Sequence, residues 1–270
     1  MKNINVEELK RIQLDILKNV DKFCREYDIQ YSLAYGTLLG AIRHKGYIPR
    51  DDDIDIFMTR PYYNKFIETY NGYNDNLYVI SPELDKDYYA PYANVCDKRT
   101  ILIEDGNAHT TEIGVKIDIF PIDAVPTRMD SYISMKKKIN DLKYNLWVKR
   151  TPFSNCTSIR SKISWLYRRL RTIFNNFSSI QDKIRSIATS IDLETADYYD
   201  NVVWDNVYAR CKKDVYTDIT DIEFENCIFK GVKDYDTYLR NKYGDYMVLP
   251  PEAQRIMLHN FRAWWKEEIS

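Results

Sequence analysis

The hydrophobic pattern of the N-terminal residues is typical of a helix. Apolar side chains recur at three- and four-residue steps, which predicts an amphipathic helix over residues 6–27. Its apolar face would comprise Leu9, Ile12, Ile16, Val20 and Phe23. Shorter apolar runs follow, bounded by glycine, proline and polar residues, and they predict alternating strands and helices.

The predicted elements give a mixed architecture. Strands are predicted at 31–34, 53–58, 77–80, 92–97, 100–104 and 115–120, and helices at 37–44 and 60–71. Pro61 suits the first turn of the second of these helices. Residues 129–191 have a helical pattern, a mixed segment follows, and the C-terminal part is predicted to be helical at 234–243 and 251–268. We therefore expect an α+β fold, in which a mixed β-sheet core is flanked by helices and a helical region is added.

Composition indicates a soluble protein of the reducing cell interior. With 270 residues, of which 44% are hydrophobic, the chain can form a substantial core, and its mean hydropathy is -0.52. The sequence has no apolar stretch of about 18 residues and no apolar segment of a signal peptide after Met1. Five scattered cysteines without a CxxC pair favour neither a disulfide framework nor a zinc site. We expect a cytoplasmic location, or a peripheral one at the inner face of the membrane.

Charge is distributed unevenly along the chain. Residues 128–190 contain 14 Lys and Arg against 3 Asp, whereas the remainder contains 25 basic and 37 acidic residues. Within 158–174, isoleucine, leucine, tryptophan and phenylalanine alternate with arginine and lysine, a pattern typical of a helix that lies on a membrane surface. The alternative is a surface helix that docks on the core by its apolar residues. A pI near 6.3 and the lack of a recognised module argue against nucleic-acid binding.

Four carboxylates lie within five residues at Asp51, Asp52, Asp53 and Asp55. Because side chains alternate along a strand, Asp53 and Asp55 would share one face, while Ile54 and the alternate apolar residues after it would pack into the core. Adjacent carboxylates repel each other unless a cation lies between them or one remains protonated. Hard oxygen ligands of this kind suit Mg²⁺. An acidic run more often forms a solvated turn, so its interpretation as a metal site depends on the residues that precede it.

A candidate phosphate-binding turn precedes the acidic run. Gly36 would end the strand at 31–34 with a turn that a Cβ would obstruct, and Thr37 would cap the following helix. A helix N-terminus placed there would offer backbone N–H groups to a phosphate. A Gly-Thr pair alone is weak evidence. Followed by the motif DIDI at 53–56, it becomes specific.

Residues 35–58 resemble the signature of the LicD family, a branch of the nucleotidyltransferase superfamily that includes the fukutin-type proteins. That superfamily pairs a Gly-Ser/Thr turn with an acidic–apolar–acidic–apolar strand, and a later strand adds a third acid. The segment VKIDIFPID at 115–123 supplies such a strand, with Asp118 between isoleucines. Segments 235–239 and 243–251 resemble the C-terminal motif of the family, and His259 follows. The resemblance implies a nucleotidyltransferase-like core at 1–127, a basic helical insertion at 128–195 and a C-terminal helical region at 196–270 that completes the active site.

The resemblance also implies roles for individual residues. Asp53 and Asp55 would bind Mg²⁺ or Mn²⁺, and Asp118 would be either a third ligand or the base that takes the proton of the acceptor. The substrate-binding candidates are Gly36 and Thr37 for the donor phosphates, with Arg43, Lys116 and His259 as further pocket residues.

The implied reaction is transfer of phosphocholine from CDP-choline to a cell-surface glycan, such as a teichoic acid or capsule, or to its lipid-linked precursor. The sequence offers one independent hint, because its 23 tyrosines and 5 tryptophans could form a cage for a quaternary ammonium. The candidates near family motifs are Tyr88, Tyr89, Tyr92, Tyr243 and Tyr246. Tyrosine-rich composition can equally reflect an AT-rich genome, and ribitol or glycerol phosphate is an alternative to phosphocholine.

Other protein classes stay open at this point. A nucleotidyltransferase acting on an NTP would use the same three acids and release pyrophosphate. A glycosyltransferase with an Asp-x-Asp motif would need a nucleotide-binding α/β region before the motif, and only about 50 residues precede it here, so it is disfavoured. A non-catalytic binding protein of the same fold is disfavoured because all three acids are present.

Overall fold

A computed structural model describes residues 1–49, 51–104, 113–249, 251 and 261–266. In chain order, its strands are β1 (Lys2–Ile4), β2 (Ser32–Leu33), β3 (Asp55–Thr59), β4 (Leu77–Ile80), β5 (Ala93–Asp97), β6 (Thr100–Glu104), β7 (Lys116–Val125), β8 (Tyr198–Asp200), β9 (Cys211–Lys212), β10 (Ile219–Phe224), β11 (Cys227–Val232) and β12 (Phe261–Trp265). Its α-helices are α1 (Val6–Glu26), α2 (Tyr35–His44), α3 (Arg60–Thr69), α4 (Met129–Arg150), α5 (Ile159–Arg171), α6 (Phe177–Ala188), α7 (Lys213–Thr217) and α8 (Tyr235–Tyr243). The expected mixture of helices and strands is confirmed.

The central sheet places strands in the order β2-β3-β7-β5-β4, and β8 and β9 extend it from the far end of β7. β3 and β7 run parallel, whereas the other neighbours in this sheet are antiparallel. The apolar side of β3 is fully buried, as its alternation predicts: Ile54, just before the strand, Ile56 and Met58 have no exposed surface. The sheet is therefore mixed, and these buried residues form part of the hydrophobic core beneath it.

Helix α1 forms for the reasons that its sequence suggests. The side chain of Asn5 accepts a hydrogen bond from the backbone N–H of Glu8 and so caps the first turn. The five predicted core-facing residues are buried, and the helix ends at Glu26, one residue before the predicted end. Helix α3 begins at Arg60 with Pro61 in its first turn, where the missing N–H costs no hydrogen bond.

Strand β7 is longer than predicted. The sequence predicts a strand at 115–120, whereas β7 continues through Pro121 to Val125. The strand continues because β3 pairs with it as far as Ile122, and β8 pairs with it from Asp123 to Val125.

The prediction of a helix at 251–268 is wrong where the structure describes it. Residues Phe261–Trp265 form β12, which lies between β1 and β6 in an antiparallel sheet. The aromatic run FRAWW favours a strand, and it meets two open strand edges at this position. Residues 252–260, including His259, lie outside the described residues. The region 196–270 is also less helical than expected, since it contains strands β8 to β12.

Helices α4 and α6 form a second apolar cluster beside the sheet. Its largest members are Tyr132, Ile139, Leu146, Ile180 and Ile184, which pack with residues that follow β8. Helix α5 lies against α4 and contributes no buried residue. Among the described residues, no helix is both long enough and apolar enough to cross a membrane. The division of the chain at 127 and 195 stays a prediction.

Candidate active site

The parallel pair β3–β7 brings two distant acids together. Asp55 and Asp118 are paired positions in the register of the two strands, and the backbone N–H of Asp118 donates to the carbonyl of Ile54 at 2.9 Å. Residues paired across neighbouring strands lie about 5 Å apart and point to the same face of the sheet. The convergence that the sequence predicts for these carboxylates is therefore present.

Asp55 lies at the centre of a crowded acidic cluster. Its carboxyl group is almost fully buried, and burial is the main reason that its pKa is raised well above its ordinary value. The charges of Asp53, Asp118 and Asp51 raise this pKa further, while that of Lys116 lowers it. The protein thus concentrates negative charge at a position with little access to water, where it is costly unless a cation compensates for it.

The three consecutive aspartates before β3 belong to the same cluster. Asp51, Asp52 and Asp53 each have a carboxylate oxygen within 4.8 Å of the others, a spacing that a metal ion can bridge. Asp52 is buried, and its backbone carbonyl accepts a hydrogen bond from the side chain of Gln13 at 2.9 Å. This contact fixes the loop against α1.

Gly36 and Thr37 support the cluster in a way that differs from the prediction. Helix α2 already begins at Tyr35, so Gly36 lies in its first turn, and a Cβ there would come within 2.8 Å of Asp51 Oδ2. Thr37 does not cap the helix, since Ala34 is the N-cap residue. The hydroxyl of Thr37 is buried and accepts a hydrogen bond from the backbone N–H of Asp55 at 2.9 Å. It therefore positions the start of β3.

Lys116 and Asn94 both donate hydrogen bonds to Asp118. The side chain of Lys116 donates to Asp118 Oδ1 at 2.9 Å, and the side-chain amide of Asn94 donates to the same oxygen at 2.6 Å. Tyr88 in turn donates to the amide oxygen of Asn94. No sequence motif marks Asn94: its strand was predicted, but only the antiparallel register of β5 with β7 places it opposite Asp118.

A cavity of about 720 Å³ opens over the acids. Asp53, Asp55, Asp118 and Lys116 line one side of it. Helix α4 lines another side, and its contributions are Asn140, Lys143, Tyr144, Leu146, Trp147 and Arg150. The remaining lining includes the aromatic residues Tyr89, Tyr92, Phe120 and Trp204. The helical region that was expected to be an insertion therefore forms part of the wall.

Lys143 is a cation of this cavity whose pKa is shifted by its surroundings. Burial, assisted by the charge of Lys136, lowers the pKa of Lys143 to about 8. Its ammonium group donates to the carbonyl of Trp204 at 2.6 Å and to the side chain of Asn206 at 3.1 Å. The amine lies on α4 and anchors the segment that follows β8.

A smaller cavity of about 390 Å³ adjoins the first. The two share Lys143, Trp204 and Asn206, and the smaller one is also lined by Tyr35, Asp205, Val207, Lys242 and Tyr243. The indole of Trp204 is 45% exposed and stacks on Phe120, with ring centroids 5.9 Å apart. Trp204 therefore lies at the boundary between the two cavities.

Other predicted residues are more dispersed. Arg43 donates to the carbonyl of Tyr246 at 2.6 Å and is not among the described residues that line either cavity. Tyr246 donates to Asp236, and Tyr88 is fully buried. Tyr89 and Tyr92 line the larger cavity, whereas Tyr243 lines the smaller one. The five tyrosines proposed for an ammonium cage thus do not form a single cluster.

Comparison with known proteins agrees with this geometry. Residues 28–157 match the family described as LicD/FKTN/FKRP, nucleotidyltransferase domain. The chain is 30% identical to the lipopolysaccharide cholinephosphotransferase LicD of Haemophilus influenzae, over 98% of this chain and 99% of that protein. The chain belongs to the LicD family. An uncharacterized protein of Rickettsia typhi is 40% identical over 57 residues, 21% of this chain and 18% of that protein. The resemblance seen in the sequence is thereby confirmed, and membership of the LicD family supports an enzyme of the transferase class.

Proposed function

We propose that this LicD-family protein transfers phosphocholine from CDP-choline to a hydroxyl group of a cell-surface glycan or its lipid-linked precursor. The observation that carries the proposal is the register of β3 and β7, which pairs Asp55 with Asp118 beside Asp53. The Haemophilus influenzae relative is named a lipopolysaccharide cholinephosphotransferase, which supports a glycan acceptor and phosphocholine as the transferred group.

The acidic cluster fits a divalent metal ion. Its donors are carboxylate oxygens, which suit Mg²⁺ or Mn²⁺, and the raised pKa of Asp55 indicates negative charge that a cation would compensate. Asp53, Asp55 and Asp118 would hold the metal. When bound, it would supply Lewis-acid stabilisation of the charge that develops on the transferred phosphate. Because Asn94 and Lys116 both stabilise the anionic form of Asp118, we favour a metal-ligand role for this residue over that of a base.

The larger cavity suits the nucleotide-linked donor. Cationic side chains of Lys116, Lys143 and Arg150 line it together with several aromatic rings. Cations attract a diphosphate, and aromatic faces can stack on a nucleobase or contact a quaternary ammonium. The carboxyamide oxygen of Asn140 is buried there without a hydrogen-bond partner among the described residues, so it is suited to receive one from a ligand.

The smaller cavity suits the acceptor. Displacement at phosphorus needs an attacking hydroxyl on the side opposite to the leaving group, so two substrates must approach one centre from different directions. The exposed indole of Trp204 offers a stacking face for a sugar ring, and Asp205, Asn206 and Lys242 offer polar groups around it. Asp55 is among the charges that raise the pKa of Tyr243, so this cavity lies within electrostatic range of the acidic cluster.

The donor distinguishes this function from its alternatives. The purified protein is incubated with a glycan acceptor, Mg²⁺ and either CDP-choline, CDP-ribitol, CDP-glycerol or CTP. We expect CMP to be released from CDP-choline, with phosphocholine added to the glycan. CMP from CDP-ribitol or CDP-glycerol alone would assign another phosphoalcohol. Pyrophosphate from CTP would assign a nucleotidyltransferase instead.

A further inference from the structure

Helix α5 turns its aliphatic side chains away from the protein. Ile159, Ile163, Leu166 and Leu170 are between 52% and 80% exposed, and Phe174, just after the helix, is 97% exposed. None of the 13 residues of α5 is buried. Helices of globular proteins ordinarily bury their apolar face.

The opposite side of α5 attaches the helix to the protein. The indole N–H of Trp165 donates to the carbonyl of Thr151 at 3.0 Å. Arg168 donates to Asp141 at 2.6 Å and stacks over the ring of Tyr144, 4.5 Å from its centroid. The helix is therefore docked by one apolar residue, Trp165, together with Arg168, as in the alternative considered from the sequence, but its aliphatic residues stay outside.

Basic side chains border the aliphatic face on both sides. At about 100° per residue, the exposed apolar residues of 159–174 cover about 120° of the helix circumference. Arg160 and Arg171 border one edge and Lys162 borders the other, and all three are exposed. No acidic residue occurs in the sequence between Asp141 and Asp182. The face is thus apolar in its centre and positive at its rim.

We propose that the exposed face of residues 159–174 binds the surface of a membrane that contains anionic lipids. A broad apolar face bordered by arginine and lysine is the geometry of a helix that lies in the plane of a membrane interface. Its aliphatic side chains would enter the acyl region, and its basic rim would meet the negative headgroups. A second copy of the chain is a poorer partner for this face, because a two-fold contact between two such helices would bring like charges together.

The proposed membrane face lies one helix away from the larger cavity. Tyr144 of α4 contacts Arg168 of α5 and also lines that cavity. Trp147 stacks on Tyr144, is 40% exposed and lines the same cavity. Tyrosine and tryptophan favour the membrane–water interface. A bound enzyme would hold its cavity roughly 10 Å, about one helix diameter, from the headgroups. This position would bring the cavity close to a lipid-linked acceptor, an advantage that rests on the proposed function. The membrane binding itself does not rest on it.

The test is sedimentation of the full-length protein with vesicles of phosphatidylcholine, with and without phosphatidylglycerol. We expect binding about tenfold tighter, or more, when phosphatidylglycerol is present, and weaker binding at high salt. Neither donor nor acceptor is present, so the result does not depend on transfer activity. Equal sedimentation with both vesicle types would overturn the proposal.

Matched double variants locate the contact. Ile163→Ser with Leu170→Ser removes two exposed aliphatic side chains from the face and should weaken binding about tenfold or more. Ile228→Ser with Leu84→Ser removes the same pair of residue types from exposed positions elsewhere and should leave binding unchanged. Because all four side chains are exposed, thermal unfolding should show both variants folded.

A third variant tests the basic rim, since Arg160→Gln with Arg171→Gln should reduce the preference for phosphatidylglycerol. Equal vesicle binding by the two aliphatic variants would contradict the proposal. A second result would also contradict it: light scattering shows that the wild type is a dimer and the Ile163→Ser/Leu170→Ser variant a monomer, and the wild type does not bind vesicles. The face would then be a subunit interface.

Discussion

Asp55 and Asp118 occupy paired positions on the parallel strands β3 and β7. Both strands lie inside the central sheet, where hydrogen bonds to neighbours on both sides oppose a movement that would separate the carboxylates. The fold therefore maintains a repulsive arrangement of buried charge at the floor of a large cavity. Such an arrangement lowers the stability of the metal-free protein and favours the binding of a cation.

Asp55→Asn is expected to stabilise the metal-free protein and to weaken its metal binding. The raised pKa of Asp55 means that its ionised form is disfavoured in the folded state at neutral pH, so a neutral side chain removes that cost. In EDTA, the thermal midpoint should be above that of the wild type. Calorimetry should show Mn²⁺ binding weakened about tenfold or more, since a ligand is lost.

Asp123→Asn is the matched control for that prediction. Asp123 accepts two hydrogen bonds of 2.7 Å from Arg60, and both side chains are buried. Removing its charge leaves a buried guanidinium unpaired, which should cost about 3–5 kcal/mol of stability while Mn²⁺ affinity is kept. A lower midpoint for Asp55→Asn in EDTA, with Mn²⁺ binding intact, would contradict the assignment.

Thr37→Val should destabilise the fold, and Thr37→Ser should not. The hydroxyl of Thr37 accepts the backbone N–H of Asp55 in a buried position, so valine leaves that donor without its acceptor. The expected cost is about 1–3 kcal/mol in urea unfolding. Serine retains the hydroxyl. If the hydroxyl bound donor phosphates instead, valine would raise the KM for the donor and leave the free energy of unfolding unchanged.

Local patterns predicted most elements of the fold but not their pairing. Strand β4 begins and ends as the sequence predicts, and Ile56 and Met58 of β3 are buried together with Ile54 just before it, as the alternation requires. The register between β3 and β7 depends on contacts between distant segments, which periodicity does not contain. The strand Phe261–Trp265 was missed for the same reason, since its two partners come from the N-terminus and from the middle of the chain.

Gly36→Ala should weaken metal binding through Asp51. An added Cβ would come within 2.8 Å of Asp51 Oδ2 and displace this carboxylate within the cluster. We expect Mn²⁺ affinity to fall about tenfold, as for other changes beside metal ligands. In an Asp51→Ala background the same substitution meets no carboxylate and should have no further effect. An equal loss in both backgrounds would show that the displaced carboxylate is not the cause.

Lys143→Met should remove a pH dependence of stability. Burial lowers the pKa of Lys143 to about 8, below its value in an unfolded chain. Between about pH 8 and 10 the unfolded state therefore binds more protons, and Lys143 makes the wild type more stable as pH rises. The difference in unfolding free energy between wild type and variant should grow in favour of the wild type by about 1–2 kcal/mol between pH 7 and 9.5. A constant difference across that range would contradict the lowered pKa.

The acids of the candidate site could be predicted from the sequence, whereas its walls could not. Short motifs that can be recognised in a single sequence contain Asp53, Asp55 and Asp118. Asn94 becomes a partner of Asp118 only through the register of β5 and β7. The cavity-facing residues of α4, such as Lys143, depend on how a helical segment packs against the sheet, and no short motif marks them. His259 lies outside the described residues, and its predicted role stays a prediction.

The most direct test of the central claim is the release of CMP from CDP-choline in the presence of Mg²⁺ and a glycan acceptor, compared between the wild type and Asp118→Asn. We predict that the wild type transfers phosphocholine and stops when EDTA is added. We predict that the folded variant loses about 100-fold or more in turnover, because the acid paired with Asp55 is gone. Undiminished turnover by Asp118→Asn, or by the wild type in EDTA, would contradict a metal centre formed by these strands.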